Sequence, residues 1–573
     1  MNPEEEKVQF AELDTLWEKA WPAEVSRNLH YPMGQIPLFR YITEWAKRDP
    51  GRPAIIYYGR TWTYAEYDEM SDRFAALLAE RGVQKGDRVG ICMQNCPQYM
   101  FAFYGIMKLG AVYTAISPLS KSFEIQNQLR DSGTRVLVVQ DRAMQLAEEA
   151  REAGLLDHIF VTSLADALPE DPEIPIHPSI PRDKIACEGA IDLMPALLSA
   201  RREYPDNDVG LDDLAALNYT GGTTGLPKGC MHTHGNMLYT TSSSRSLIGR
   251  EDRIDCTLVF LPQFWIAGEN GSLIGPLLYG ETVVLMARWN PPAVLKAIAK
   301  YRITQFTLPV DSAIEIAERT DLDEYDLSSL MSVRVIGLIN KLTIELRRLW
   351  QKKIGVTLIE SSWGMTETHA SDTFTFGMQD DDFDLKQPRT FVGLPVVGTR
   401  FKIAEFGTGR TLPIGEEGEI CCKSPSLTKG YWQRPDATAE LVRDGWLHSG
   451  DLGFIGKTGH LHYLGRRKEM IKVRGMSVFP AEIEVVLAMH PAVEISAVAP
   501  RPDQHKGQVP VAFVRVKDAV EPEELRRWCL DKLADFKVPE IRIADELPMT
   551  GTGKVRKQVL ADWLADEAKE SAA

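Results

Sequence analysis

The first regular pattern along the chain is Phe10, Leu13, Trp17 and Trp21, at helical spacing among acidic residues. It predicts a short amphipathic helix docked on its own domain. Its polar face is acidic, whereas a helix lying on a membrane surface favours Lys and Arg there. From about residue 54, short apolar runs alternate with helical patterns, at residues 89–92, 136–139, 159–161, 282–286, 333–336 and 356–359. This alternation predicts stacked α/β layers. Five prolines between residues 168 and 181, in a polar and acidic context, fit neither a helix nor a central strand and mark a surface loop. After about residue 390 Gly and Pro multiply, and residues 401–404 and 419–422 read as antiparallel strands. The last hundred residues form a compact mixed unit, with a polar, frayed tail after Leu564.

A chain of 573 residues exceeds one ordinary core, so two or more domains are expected. With 44% hydrophobic and 25% charged residues the composition is that of a globular protein, not a disordered or fibrous one. The formal charge of -15 argues against nucleic acid as the main partner, and any anionic ligand needs locally gathered basic residues. The eight cysteines contain no Cys-x-x-Cys pair, which points to buried, reduced thiols. No run approaches the ~18 apolar residues of a membrane helix, and the first residues lack the blocks of a signal peptide. The expected compartment is the cytosol.

Candidate chemistry centres on residues 219–236, Tyr-Thr-Gly-Gly-Thr-Thr-Gly-Leu-Pro-Lys-Gly-Cys-Met-His-Thr-His-Gly-Asn. Gly221, Gly222, Gly225 and Gly229 let backbone N–H groups approach an anion, Thr220, Thr223 and Thr224 add hydroxyls, and Lys228 adds a charge. A Walker loop needs Gly-Lys-Ser/Thr, and here Gly229 follows Lys228, so the usual hydroxyl for magnesium is missing. Trp363-Gly-Met-Thr-Glu-Thr follows a strand, where open α/β sheets bind ligands: Trp363 offers a stacking face, Thr366 a donor, Glu367 a carboxylate for magnesium. In Asp444-Gly-Trp-Leu-His-Ser-Gly-Asp-Leu-Gly, Asp451 is expected in a tight turn suited to ribose hydroxyls. A basic, Gly-bounded run spans 465–475, and Leu547-Pro-Met-Thr-Gly-Thr-Gly-Lys closes on Lys554. Taken singly, these also read as a flexible linker, a core Trp, a solvated turn, a solvated charge run and a basic surface loop.

Together and in this order, the five motifs closely resemble those of the acyl-adenylate-forming superfamily, which includes acyl-CoA synthetases, adenylation domains of peptide synthetases and beetle luciferases. The resemblance implies an α/β fold with a large N-terminal domain of layered α/β subdomains plus a β-rich subdomain (1–464), a hinge (465–468) and a small mobile α+β C-terminal domain (469–573). It implies that Thr220, Gly221, Gly222, Thr223, Thr224, Gly225, Lys228, Trp363, Gly364, Thr366, Asp451, Arg466 and Lys554 bind ATP or AMP. Glu367 then holds Mg2+, Lys468 is the hinge residue and Gly475 lines the CoA channel. Lys554, Thr220 and Glu367 form the catalytic set, with Lys554 stabilising charge as a carboxylate attacks the α-phosphate. Trp363 stands where relatives carry Tyr.

The acyl side departs from the family. The usual Gly-Gly-Ala-Pro is replaced by Gly337-Leu-Ile-Asn-Lys, in either of two registers, and Phe264-Trp265 occupies a segment where relatives place an aromatic residue and then a histidine or similar residue. Lys341 either pairs with a second carboxylate on the acid or faces solvent while Leu338 and Ile339 narrow an apolar channel; the cost of burying an ammonium favours the latter. His234, Phe264, Trp265, Gly337 and Leu338 are the expected acyl pocket, and a fatty or aryl acid the expected substrate. The implied reaction is acid plus MgATP to acyl-adenylate, then CoA to thioester, in a cytoplasmic protein without nucleic-acid partners and with a homodimer as one assembly. Loading of a carrier protein is the alternative acceptor reaction, and a non-catalytic ATP-binding regulator the alternative class.

Overall fold

The computed structural model describes residues 3–220, 227–248, 255–337, 341–360, 362–387, 390–473, 476–503, 506–533, 535–550 and 554–570. Two doubly wound sheets form the bulk of it. In the first, the strands Ile191–Asp192, His158–Thr162, Val136–Gln140, Arg88–Cys92, Val112–Ala115 and Leu214–Tyr219 run parallel, and Gly229–Thr233 returns antiparallel on the edge. In the second, Leu358–Glu360, Ser332–Ile336, Gln305–Pro309, Cys256–Val259, Thr282–Leu285 and Pro53–Tyr57 are parallel, with Arg60–Thr63 antiparallel at the end. Runs such as Val136–Gln140 are buried on both faces, as parallel strands covered by helices require. One continuous apolar core links both sheets, from Leu38 to Leu358.

A third sheet is antiparallel: Thr373–Phe374, Thr390–Pro395, Leu461–Arg466, Trp446–Ile455, Gly418–Lys423 and Arg400–Ala404. The helix Pro3–Ala20 docks on it, with Leu13 and Trp17 buried and the Trp17 indole donating to the Gly459 carbonyl at 2.9 Å. That helix is longer than its apolar pattern suggests, because Glu4, Glu5 and Glu6 add a first turn favoured by the helix dipole. A fourth sheet joins Met476–Val478, Ile471–Val473, Gly507–Val516, Val493–Asp503 and Glu540–Ile543, with its own apolar clusters on either face. The architecture is therefore α/β, a large N-terminal domain followed by a small α+β one.

Two local expectations need correction. The strand expected over 356–359 is Leu358–Glu360, because Gly355 at φ +89° ends the preceding helix and Val356 and Thr357 complete the turn. Asp451 lies not in a tight turn but inside the long strand Trp446–Ile455, where Gly450 at φ +71° only kinks a ladder that continues on both sides.

Candidate active site

The strand Leu214–Tyr219 delivers Thr220, and the antiparallel strand Gly229–Thr233 leaves from Lys228. The Thr220 N–H donates to the Lys228 carbonyl at 2.9 Å and the Lys228 N–H to Thr220 Oγ1 at 3.2 Å, so the base of the phosphate segment is clamped. Gly221, Gly222, Thr223, Thr224 and Gly225 lie outside the described residues, as do Leu338 and Gly475.

The clamp extends into residues 428–432, between the strands Gly418–Lys423 and Trp446–Ile455 of the third sheet. Trp432 N–H donates to the Gly229 carbonyl at 2.8 Å, Lys429 N–H to Met231 at 2.9 Å, and the Lys228 ammonium stands 4.8 Å over the Tyr431 ring. The Tyr431 hydroxyl donates to Glu367 Oε1 at 2.6 Å, a short charge-assisted bond, and Thr428 N–H holds the Glu367 carbonyl at 2.8 Å. Burial and then Glu367 push the Tyr431 phenol up, so it stays a donor. Glu367 is buried in the turn Thr366–Thr368, with Gly364–Met365 and Ala370–Ser371 paired on either side.

A second constellation gathers on Asp451, which is 4% exposed. The Trp363 indole N–H donates to Asp451 Oδ2 at 2.9 Å, and Arg466, its cross-strand partner, brings Nε to 3.1 Å from Oδ1. Burial raises the Asp451 carboxyl, against the pull of Arg466 and Trp363. The indole in place of the family's phenol thus has a visible consequence, an N–H that reaches this carboxylate. Trp363 itself is buried, edge-on to Phe401 at 5.4 Å between centroids.

Lys554 comes from the small domain. Thr550 N–H donates to the Lys554 carbonyl at 2.7 Å and Lys554 N–H to Thr550 Oγ1 at 3.0 Å, which draws the backbone together on either side of 551–553. Desolvation of the Lys554 ammonium and the like charge of Arg466 lower its pKa, with Glu469 opposing. The two cations therefore lie close enough to repel, an arrangement that an anionic phosphate relieves. Lys468 lies in the turn Arg467–Glu469 between the domains.

On the acyl side, Gly337 is exposed just past the end of the strand Ser332–Ile336, at the carboxyl edge of the sheet. Phe264 and Trp265 meet edge-on at 6.1 Å. His234 is buried edge-on against Phe39, its backbone N–H on the Asp213 carbonyl at 3.1 Å, and its ring makes no contact with the rings of Phe264 or Trp265 among the described residues. Lys341 is not in open solvent: it is partly buried, and its ammonium donates to Thr390 Oγ1 at 2.7 Å. Burial lowers its pKa, with Glu360 the largest opposing charge, and burial in turn raises Glu360 to about 7.

Tyr431 stands in none of the five motifs, and its bond to Glu367 spans 64 residues, a separation that no local pattern reveals. Nor does any local pattern pair Glu269, His369 and His232, which meet beneath this turn.

The clamped base of residues 220–228, the buried carboxylates of Glu367 and Asp451 and Lys554 are the same residues that carry the motifs of an adenylate-forming class of protein, and the comparisons with known proteins give that class. The AMP-binding enzyme profile matches residues 42–432, and that of the AMP-binding enzyme C-terminal domain residues 482–554. The chain is 30% identical to a long-chain-fatty-acid–CoA ligase of Bacillus subtilis, covering 95% of this chain and 98% of that one. It is also 30% identical to 4-coumarate–CoA ligase 1 of Solanum tuberosum, over 92% and 94%. Among solved structures it resembles an anthranilate CoA ligase in complex with anthranoyl-AMP (TM-score 0.79, 25% identity, 95% and 99% covered). It likewise resembles the o-succinylbenzoate CoA synthetase of Bacillus subtilis with ATP and magnesium (TM-score 0.77, 27% identity, 91% and 99% covered). This chain belongs to the AMP-binding enzyme family.

Proposed function

We propose that this chain is an ATP-dependent acyl-CoA synthetase that converts a hydrophobic carboxylic acid, fatty or aryl, to its CoA thioester through an acyl-adenylate. ATP and CoA are its substrates and Mg2+ its cofactor. The observation that carries the reading is the convergence of Glu367 and Asp451 from the large domain and Arg466 from the hinge with Lys554 from the small domain.

In this reading Thr220, Lys228 and the intervening residues 221–225 hold the phosphates, Asp451 accepts the ribose hydroxyls, and Trp363 keeps Asp451 oriented. Glu367, fixed by Tyr431, would offer its carboxylate to Mg2+, which would neutralise phosphate charge. The acid's carboxylate oxygen attacks the α-phosphorus and the bond to pyrophosphate breaks, while Lys554 stabilises the growing charge. The small domain then turns about residues 465–468, with Lys468 as pivot. The CoA sulfur, its proton lost, attacks the acyl carbon past Gly475, and AMP leaves with the bonding pair. The domains are assigned as 1–464 and 469–573 on this basis, and the acyl group is assigned to the space around Phe264, Trp265, Gly337 and Leu338.

The chain has no helix long and apolar enough to cross a membrane among its described residues. A cytosolic enzyme with eight unpaired cysteines, working as a homodimer, completes the proposal. Sedimentation of the purified protein tests the assembly. The function itself is tested by pyrophosphate release over fatty acids, benzoates, cinnamates and dicarboxylates, with AMP release measured against free CoA and a carrier protein. A carrier-only response would reassign the acceptor, and silence across the panel would leave an ATP-binding regulator.

A further inference from the structure

The last helix, Lys557–Glu570, begins three residues past Lys554 and docks through Leu560 and Leu564, both fully buried, on the strands Val493–Asp503 and Gly507–Val516. The segment before it is closed on itself: Met549 pairs with Val555, and the Arg556 N–H donates to the Pro548 carbonyl at 2.7 Å. Those bonds shape the piece of chain that carries Lys554 without linking it to the hinge. A longer tie comes from Lys557. Its ammonium lies 2.9 Å from Glu484 Oε1, 3.0 Å from Glu484 Oε2 and 3.4 Å from Glu469 Oε2. Glu484 belongs to the helix Pro480–Ala488 and its Oε1 also accepts the Val498 N–H at 2.7 Å, so the carboxylate is fixed to the sheet of the small domain. Glu469 follows Lys468 directly, in the turn Arg467–Glu469.

A lysine is ill placed in the first turn of a helix, where the dipole already puts partial positive charge. Burial works against the Lys557 ammonium as well, yet Glu484 and Glu469 leave its pKa raised, so it stays charged. The charge is held by its partners, not by its place in the helix. Glu469 is also the carboxylate that acts on Lys554, where it opposes burial and the like charge of Arg466. One carboxylate thus stands between two lysines of the same segment, and Lys557 is the one that bonds it. The group also reaches the large domain. Burial lowers the pKa of Lys341, Glu360 and Glu484 oppose it, and Lys557 adds to the lowering, so Glu484 and Lys557 lie within electrostatic range of the domain seam.

We propose that Lys557 is a positioning residue for the adenylation step: by engaging Glu469 and Glu484 it ties the Lys554 segment to the hinge turn and keeps Glu469 from capturing the Lys554 ammonium, which is left for the phosphate. The proposal rests on the synthetase reading and on Lys554 as the group that stabilises charge at the α-phosphate. Thioester formation from a finished adenylate makes no use of Lys554, so the two half-reactions should respond differently.

The test uses the full-length enzyme and follows pyrophosphate release and the conversion of synthetic acyl-AMP to thioester separately. Lys557→Met should lower kcat for adenylation by roughly tenfold, the scale of a modest displacement of a charge at the reacting centre, and leave thioester formation close to wild type. Lys557→Gln, which keeps an N–H for the carboxylates and disturbs the fold less, should show the same split. Lys557→Arg should restore most of the loss, and Glu469→Gln added to Lys557→Met should restore part of it by releasing Lys554. Lys537→Met breaks another ion pair of the small domain, with Glu482 on the same helix as Glu484, and should leave the ratio of the two steps unchanged. Equal loss of both steps on removing Lys557 would make the group a structural tie and overturn the proposal. So would adenylation at the wild-type rate, a loss that Glu469→Gln deepens, or the same split in Lys537→Met. No pyrophosphate from the wild type with any acid would overturn the synthetase reading and this proposal with it.

Discussion

Replacing Glu269 by Gln should make the protein increasingly more stable than wild type as pH rises. Glu269 is 1% exposed, and burial lifts its carboxyl from an ordinary 4.5 to about 8. An acid with a raised pKa binds its proton more tightly folded than unfolded, so its contribution to stability falls as pH rises through that window. Each pH unit inside it is worth ~1.4 kcal/mol, and the whole window on the order of 5 kcal/mol, fully lost above about pH 8. Gln removes the titration but keeps an N–H for His369 Nε2, 3.1 Å from the present oxygen. His369, lowered to about 3, adds stability as pH rises toward its usual 6.5, but it does so in both proteins and cancels in the difference. A multidomain chain does not unfold in one step, so the readout is the thermal midpoint of the large domain, variant minus wild type, at about pH 5.5, 7 and 8.5. The difference should rise at each step. A constant or shrinking difference would mean that Glu269 is ionised against a protonated His369, and would refute the reasoning.

Lys554→Ala should lower adenylation by roughly 100-fold or more while synthetic acyl-AMP is still converted to thioester, with equal loss of both steps assigning Lys554 to both or to the fold. Tyr431→Phe removes the hydroxyl that donates to Glu367 at 2.6 Å, and should raise the KM for MgATP by about tenfold or more; an unchanged KM would free Glu367 from this anchor. Lys468→Pro, which fixes φ in the turn between the domains, should spare pyrophosphate release and depress thioester formation, and undiminished thioester formation would remove Lys468 from the hinge role.

The layered α/β architecture was legible because fully buried parallel strands leave unbroken apolar runs, as at 136–139, and because antiparallel strands such as Arg400–Ala404 follow Gly- and Pro-rich turns. Glu367, Asp451, Arg466 and Lys554 were legible as motifs, since each carries a short fixed neighbourhood. What those neighbourhoods do not encode is the partner. Tyr431 reaches Glu367 from 64 residues away, and the Trp363 indole finds Asp451 88 residues away. Lys341 illustrates the same limit, because burial cost alone argued for solvent, whereas Thr390, distant in sequence, supplies its acceptor. The Glu269–His369 pair was invisible for a further reason: a glutamate in an apolar segment and a histidine in a left-handed turn mark nothing until the fold brings them together.

The central claim, that this chain makes an acyl-adenylate and passes it to CoA, is tested most directly by a single-turnover experiment. Enzyme, MgATP and an accepted acid are mixed without CoA, the bound products are identified by mass, and CoA is then added. Acyl-AMP should accumulate with one equivalent of pyrophosphate and disappear on addition of CoA as acyl-CoA and AMP form together. Release of ADP and phosphate, or an adenylate that persists in the presence of CoA, would contradict it.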